Sequence, residues 1–133
     1  MKKKVLTFGT FDLLHKGHEF YLKEAKKHGE ELWVVVARDK TVKQIKGILP
    51  VEDEQERLSN VQSLDYVDKA LLGKVGDKYA IIEEVNPDII CLGYDQVAFT
   101  DKLKEELEFR GLHPEIIRIS SFKPEIYKSS KLR

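Results

Sequence analysis

The chain has 133 residues, with 23 basic and 23 acidic side chains and a formal net charge of zero. This length suits a single domain with its own buried core, which we predict over residues 1–133. The charge balance disfavours a general nucleic-acid binder, since such proteins carry a basic excess that neutralises phosphates. No apolar run approaches the roughly 20 residues that span a bilayer, so we expect no membrane partner.

Targeting and redox features are sparse. Residues 1–4 lead directly into a short apolar run without the pattern of a signal peptide, so we expect a cytoplasmic protein. The single cysteine, Cys91, cannot form an internal disulfide or a thiolate metal site. It lies in the apolar run 88–92, and we interpret it as a buried small apolar residue.

Apolar runs and helical periodicities alternate along the chain. Short apolar, β-branched runs predict strands, and amphipathic spacings predict helices between them. Asp53 and Glu56 have the D-x-x-E spacing of a capping box and open one of these helices. The basic segment 39–47 predicts either a short helix or a loop. The predicted strands are 4–8, 32–37, 67–72, 88–92 and 115–119. Apart from segment 39–47, the predicted helices are 17–27, 53–64, 78–85 and 101–110.

This alternation predicts an α/β fold with a parallel sheet and right-handed crossovers. Such sheets bind ligands beyond the carboxyl ends of their strands, at a switch point in the strand order. The candidate binding segments are therefore 9–18, 38–46, 93–96 and the residues from 118 onward.

The most informative stretch runs from Thr7 to His18, where a predicted strand breaks at Gly9 and a helical pattern follows. The stretch contains neither a G-x-x-x-x-G-K-[ST] loop nor a G-x-G-x-x-G motif. Glycine nevertheless lets backbone pass close to a ligand, and a helix start offers N–H groups and a positive dipole end. His15 and His18 add two imidazole donors on one side of that start. We interpret the stretch as a phosphate clamp; the alternatives are incidental polar residues or metal ligands.

The string G-T-F-D-L-L-H-K-G-H, from Gly9 to His18, resembles the signature of the HIGH-type nucleotidyltransferase superfamily, in particular its cytidylyltransferase-like branch. The resemblance extends over the whole chain and implies a Rossmann-like, parallel five-stranded sheet with helices on both faces. It also implies transfer of a nucleoside monophosphate from an NTP to a phosphate-bearing acceptor, with release of pyrophosphate. Mg²⁺ or another divalent cation would accompany the NTP. The two histidines would stabilise the attacked α-phosphate without a covalent enzyme intermediate.

The resemblance assigns roles residue by residue. Lys43 and Lys46 are expected against the leaving phosphates, and the alternative is a solvated basic loop. Arg57 is expected to face the acceptor or the phosphates, and the alternative is a surface helix arginine. Asp95 would also hold a water of a bound magnesium ion. The implied catalytic residues are His15, His18 and Lys46; the implied nucleotide- or phosphate-binding residues are Thr7, Phe8, Gly9, Thr10, Phe11, Gly17, Lys43, Arg57, Gly93, Asp95, Ser129 and Ser130; and the implied acceptor-binding residues are Asp12 and Asp39.

The tail 128–133 resembles the second family signature, I-S-[ST]-[ST]-x-[IL]-[RK], whose hydroxyl and N–H groups bind the triphosphate. Ser129 and Ser130 match it, whereas Tyr127 and Lys128 replace its isoleucine and its first serine. The alternative is a disordered polar terminus. The candidates for the basic residue that precedes this signature are Arg118 and Lys123.

Two groups within the branch compete as the nearer relative. Glycerol-3-phosphate cytidylyltransferases share the G-T-F-D-L-L-H-x-G-H string, whereas archaeal FAD synthases are similar over segments 35–47 and 87–96 as well. The resemblance therefore implies AMP transfer from ATP to FMN, giving FAD. The alternatives are cytidylyl transfer from CTP to glycerol 3-phosphate and a non-catalytic nucleotide-binding module. Homodimerisation is also implied, and no nucleic-acid partner is.

Overall fold

The computed structural model describes residues 2–77, 79–93 and 102–120. Strands and helices alternate as the sequence predicts, except that two helices lie in succession between the second and third strands, because segment 39–47 is a helix rather than a loop. The strands are β1 (Lys4–Gly9), β2 (Glu31–Val36), β3 (Lys69–Leu72), β4 (Ile89–Gly93) and β5 (Glu115–Ile119). The helices are α1 (Lys16–Lys26), α2 (Asp39–Lys46), α3 (Glu54–Gln62), α4 (Ala80–Val85) and α5 (Leu103–Phe109).

The five strands form one parallel sheet in the order β3-β2-β1-β4-β5. The predicted five-stranded parallel sheet is therefore confirmed. The prediction that β1 ends at Gly9 is confirmed to within one residue, because Gly9 is the last residue of the strand and pairs with Val36. The third strand starts at Lys69, two residues later than predicted, since Val67 still donates its N–H to the Leu64 carbonyl oxygen at 3.1 Å in the preceding turn.

Helices cover both faces of the sheet. Successive strand residues point to opposite faces, so Val5 joins one core cluster and Leu6 the other. The Val5 cluster includes apolar residues of α1 and α3, and the Leu6 cluster includes those of α4 and α5. Cys91 is fully buried in the first cluster, and burial raises the pKa of its thiol to about 12, which confirms its interpretation as an apolar core residue.

The strand order reverses between β1 and β4, whose carboxyl ends therefore flank a crevice. Tyr21 of α1 spans this switch point: its hydroxyl lies 2.8 Å from the Cys91 carbonyl oxygen and 3.4 Å from that of Phe8. The start of α1 and the loop that precedes it thus lie at the edge of the sheet where ligands of this fold class bind. Among the described residues, none of the helices has the length and apolar character needed to cross a membrane.

Candidate active site

His15 and His18 form a stacked pair at the start of α1. Their ring centroids are 3.9 Å apart with an interplanar angle of 23°. His15 Nδ1 accepts from the Gly17 N–H at 3.0 Å, and His18 Nδ1 accepts from the His15 N–H at 3.2 Å. Both Nδ1 atoms are therefore acceptors, which assigns the proton of each neutral ring to Nε2. Within the described part of the chain neither Nε2 has a partner, so both N–H groups are available to a ligand.

His18 is held in its neutral form. Burial of the ring, followed by repulsion from His15 when that ring is protonated, lowers the pKa of His18 to about 4. Asp12 opposes this shift and Lys46 adds to it. At pH 7 His18 is therefore a hydrogen-bond donor without a positive charge. A neutral donor held in place by the backbone fits the charge that develops on phosphate oxygens during transfer, because it needs no reorganisation.

Two glycines make room for the side chains of this site. A Cβ atom on Gly17 would lie 2.9 Å from Cε1 of His15, so glycine is needed for the imidazole to fold back over its own helix start. A Cβ atom on Gly9 would lie 2.7 Å from ring atoms of Phe11. The sequence suggested that glycine at position 9 makes room for a ligand. In the structure, the group that needs this room is the Phe11 ring.

Phe11 and Thr7 lie beneath the site. Phe11 is almost fully buried, and its ring contacts that of His18 edge-on with a centroid distance of 5.6 Å. Thr7 has no exposed surface, and its hydroxyl has no hydrogen-bond partner among the residues that the structure describes. Neither side chain offers surface to a ligand in this arrangement. Phe8, Gly9 and Thr10 are partly exposed at the end of β1, where a ligand can reach them.

The loop from Thr10 to Leu14 has an unfavourable backbone. Phe11 and Leu13 have φ angles of 56° and 52°, in the left-handed region that non-glycine residues seldom adopt. Each such residue costs on the order of 1–2 kcal/mol, so contacts from elsewhere must hold the loop. The carboxylate of Asp12 accepts from the Val51 N–H at 2.8 Å and the Glu52 N–H at 2.9 Å.

These two bonds shape the electrostatics of Asp12. Partial burial raises the pKa of its carboxyl, but the donations from Glu52 and Val51 and the charges of Arg57 and Lys46 outweigh burial, so the pKa is below its ordinary value. Both Asp12 oxygens already bind protein donors. Each oxygen keeps a second lone pair, which an acceptor hydroxyl can still approach.

Arg57 is fully buried, so the alternative of a surface helix arginine is wrong. Its three nitrogens each donate one hydrogen bond: Nε to the Glu52 carbonyl oxygen at 3.0 Å, Nη1 to that of Thr10 at 2.8 Å and Nη2 to Asp39 Oδ1 at 2.6 Å. The second Asp39 oxygen accepts from the Glu54 N–H at 3.2 Å. Arg57 and Asp39 therefore bind one another and the surrounding backbone. Three of the five guanidinium N–H groups are used in this way, and the side chain has no exposed surface through which a phosphate could reach the other two.

Lys43 and Lys46 lie in the last turn of α2 and are exposed, with no salt bridge to any described residue. The charge of Lys46 lowers the pKa values of both Asp12 and His18, so its ammonium group is within electrostatic range of the histidine pair. Cations at a helix C-terminus are also favoured by the helix dipole, which is the ordinary explanation for both lysines. Lys46 thus lies near enough to Asp12 and His18 to influence their protonation, and its contact with the leaving phosphates stays a prediction.

The remaining predicted residues lie on or beyond β4 and β5. Gly93 is at the carboxyl end of β4, and its carbonyl oxygen accepts from Arg118 Nη1 at 2.7 Å. Arg118, in β5, therefore borders the same crevice. The predictions that fall outside the described residues are those for Asp95, Lys123, Tyr127, Lys128, Ser129 and Ser130.

A dedicated metal site is not evident in the described ranges, where no three side chains of the metal-binding types are grouped. The carboxylates of Asp12 and Asp39 already accept hydrogen bonds on both oxygens. Mg²⁺ uses few carboxylates together with substrate phosphates, so a cation that accompanies a nucleotide needs few protein ligands.

Sequence reasoning missed Glu52 and Tyr21. Glu52 Oε1 accepts from the Leu13 N–H at 2.9 Å, which joins two segments 39 residues apart in the chain. The Tyr21 hydroxyl spans β1 and β4. Helical spacing marks Tyr21 only as part of an apolar face, and Glu52, just before the helix cap, carries no local signal of a distant partner.

Comparisons with known proteins agree with this geometry. The family model described as "Cytidylyltransferase-like" matches residues 6–133. The FAD synthase of Methanocella arvoryzae is 44% identical over 131 residues, covering 98% of this chain and 92% of its own. The FAD synthase of Thermoplasma volcanium is 45% identical over 130 residues, covering 98% of this chain and 91% of its own.

A solved structure extends the match to three dimensions. The crystal structure described as the lipopolysaccharide core biosynthesis protein from Thermoplasma volcanium has a TM-score of 0.87 and 45% sequence identity, covering 92% of this chain and 100% of that chain. The sheet order, the H-x-G-H helix start and the family match over nearly the whole chain lead to one conclusion: this protein belongs to the cytidylyltransferase-like family of nucleotidyltransferases.

Proposed function

We propose that this enzyme is an FAD synthase that transfers AMP from ATP to FMN, releasing pyrophosphate. The observation that carries the proposal is the His15–His18 pair, whose Nδ1 atoms are fixed by backbone N–H groups at the switch point of the sheet. The acceptor and the nucleotide are taken from the relatives named FAD synthase that align over nearly the whole chain.

The reaction joins a phosphate oxygen of FMN to the α-phosphorus of ATP and breaks the bond from that phosphorus to the bridging oxygen. Pyrophosphate leaves with that bond's electron pair, and no covalent enzyme intermediate is needed. The Nε2–H groups of His15 and His18 would donate to α-phosphate oxygens as negative charge builds up on them. Catalysis then comes from positioning and electrostatics, as is general for transfer at phosphorus.

The triphosphate would extend from the histidine pair toward the end of α2. Lys46 and Lys43 would neutralise the β- and γ-phosphates, which become the leaving group. Both lysines are exposed and form no salt bridge within the described residues, so ATP binding need not break an existing ion pair. The other proposed nucleotide contacts are Phe8, Gly9, Thr10, Gly17, Gly93, Asp95, Ser129 and Ser130.

A divalent cation, Mg²⁺ in the first instance, would enter with ATP and be bound mainly by its phosphates. Asp95 stays the predicted protein contact to one of its waters. When bound, the ion would neutralise charge on the phosphates, a function that Lys46 shares.

The acceptor would lie on the side of the site formed by the 10–14 loop, the last turn of α2 and the α2–α3 connection. Five large apolar side chains are exposed there, and apolar patches beside a polar site commonly bind ligand. Backbone bonds from Val51 to Asp12 and from Leu13 to Glu52 bring these segments together. We assign the isoalloxazine ring of FMN to this surface and its ribityl hydroxyls to Asp12 and Asp39. The apolar residues are Leu13, Ile45, Ile48, Leu49 and Val51.

The cellular setting follows from the same proposal. ATP and FMN are small anions, and we propose a cytoplasmic enzyme without a nucleic-acid partner, in line with the zero net charge.

A homodimer stays a prediction from the family resemblance. Sedimentation of the purified protein tests it, and a monomer at micromolar concentration would contradict it.

Pyrophosphate release tests the reaction with ATP or CTP, each combined with FMN or glycerol 3-phosphate in the presence of Mg²⁺. We expect release with ATP and FMN, and FAD as the second product. Release with CTP and glycerol 3-phosphate alone would overturn the assignment in favour of a cytidylyltransferase. A rise in melting temperature with ATP but no turnover with either acceptor would identify a nucleotide-binding module.

The variant His15→Asn tests the histidine pair without removing the helix cap. Asparagine is a favoured helix N-cap, so its side-chain oxygen can replace Nδ1 as acceptor for the Gly17 N–H while the Nε2 donor is lost. We expect this variant to keep its melting temperature and to lose most of its turnover.

A further inference from the structure

The 10–14 loop is held from one short segment, residues 51–57, which joins α2 to α3 and forms the first turn of α3. Arg57 Nη1 binds the carbonyl oxygen of Thr10 at the start of the loop, 2.8 Å away. Glu52 Oε1 binds the Leu13 N–H near its end, 2.9 Å away. Between them, the N–H groups of Val51 and Glu52 bind the two oxygens of Asp12.

These bonds bracket the two left-handed residues of the loop. Phe11 lies between the Arg57 and Asp12 attachments, and Leu13 is itself attached to Glu52. Residues other than glycine keep left-handed backbone angles only where contacts with the surrounding structure fix those angles. Segment 51–57 supplies that constraint, and its own geometry is fixed because the Arg57 Nε also binds the Glu52 carbonyl oxygen.

The loop passes its geometry directly to the histidine pair. Only one residue separates Leu13 from His15, the N-cap of α1. Phe11 packs its ring edge against His18. A change in the backbone at Leu13 would therefore tilt His15, and a change at Phe11 would remove the support beneath His18.

From these contacts we infer that Glu52 and Arg57 are positioning residues for the reaction, which hold the 10–14 loop so that both imidazole Nε2–H groups face the same phosphate. Neither needs to touch substrate. The inference rests on the proposed function for its kinetic consequence, and it gives Arg57 a role other than the phosphate contact that the family resemblance implies.

Glu52→Ala is the decisive variant, because Glu52 is only partly buried whereas Arg57 is fully buried and its replacement can prevent folding. Glu52→Gln is the conservative rescue, since its amide oxygen can still accept from the Leu13 N–H. Glu56→Ala is the matched control, because it removes a carboxylate from the exposed side of α3.

We expect Glu52→Ala to lower kcat by about 10–100-fold with little change in KM for ATP, because small misplacements of catalytic groups cost this much. Glu52→Gln should recover kcat to within about threefold of the parent, and Glu56→Ala should match the parent. Kinetics are measured well below the melting temperature of each variant, so that loss of folded protein does not contribute.

A second readout does not depend on the reaction. Imidazole NMR signals of the free enzyme should show His18 titrating closer to an ordinary histidine in Glu52→Ala, and the Leu13 amide should exchange faster with solvent. If FMN is not adenylylated but these signals move, the proposed function fails and the positioning role stands. Unchanged His18 titration, or a kcat within twofold of the parent, would overturn the positioning role.

Discussion

Replacing His18 with glutamine separates the two tasks that this residue performs. As the third residue of α1, His18 caps the His15 N–H through Nδ1 and leaves Nε2–H for the substrate. Glutamine at this helix position also reaches back to the N-cap N–H, as in a capping box. His18→Gln should therefore keep the helix start and lose the preorganised donor that we propose for the α-phosphate: its amide N–H₂ can still donate, but a flexible side chain does not fix it as the packed imidazole is fixed.

The expected loss in turnover follows from what is removed. Deleting one preorganised donor to developing oxyanion charge costs about 10²–10³ in rate. We expect a fall of this size in kcat, with KM for ATP changed by less than about threefold if the donor acts mainly in the transition state. A variant whose kcat stays within tenfold of the parent would refute the role of His18.

The same variant tests the buried, neutral state of His18. The folded pKa is about 4 and the ordinary value is 6.5, so between these pH values the unfolded chain binds a proton that the folded chain does not. Stability conferred by the neutral ring is then present above pH 6.5 and is lost as the pH falls toward 4. The full difference corresponds to about 3 kcal/mol, and solvent screening of a partly exposed ring reduces it to on the order of 1–2 kcal/mol.

Urea unfolding at intervals between pH 4.5 and 7.5 measures the contribution of His18 to the free energy of unfolding, as a difference between parent and variant. Both proteins contain the same other titrating groups, so their contributions cancel. The unfolding free energy of the parent should fall by about 1–2 kcal/mol more than that of His18→Gln over this range. Parallel pH curves would show that the ring is not held neutral by the fold.

Three further predictions concern the surroundings of the pair. Gly17→Ala should leave the melting temperature unchanged or higher, because alanine favours helix, yet lower kcat about tenfold or more in single-turnover assays by displacing the adjacent imidazole. Lys46→Ala should weaken ATP binding in calorimetry, with Lys40→Ala at the start of α2 as the control; equal affinities would return Lys46 to a solvated helix end. Ile48→Ser should raise KM for FMN but not for ATP, whereas Phe109→Ser, an exposed apolar residue on α5, should change neither.

The fold could be predicted from sequence because its signals are local. Each buried strand is a short apolar run, and the Asp53 cap of α3 is confirmed by its 2.8 Å bond to the Glu56 N–H. Hydrophobic spacing carries this information within windows of about ten residues. At Gly9 it located the end of β1 to within one residue, since Gly9 is the last residue of the strand and pairs with Val36.

The site was less predictable, because its constraints join distant segments. Arg57 shows what sequence patterns cannot predict. A lone arginine in a polar helix predicts a surface position, yet this side chain is fully buried. Its partners Thr10 and Asp39 are 47 and 18 residues away in the chain. Hydrophobic periodicity cannot report such bonds, since it registers only which side of a helix is apolar.

The H-x-G-H string is best understood as a device that uses the two nitrogens of each imidazole for different purposes. Nδ1 of His15 and of His18 caps backbone N–H groups at the helix start, which fixes ring orientation and tautomer. The proton of each neutral ring is thereby placed on Nε2, which has no hydrogen-bond partner among the described residues. The glycine between them is required because a Cβ atom at Gly17 would contact the His15 ring 2.9 Å away. On the proposed function, the motif therefore supplies a preorganised donor pair, and we expect the segments around it to select the substrate.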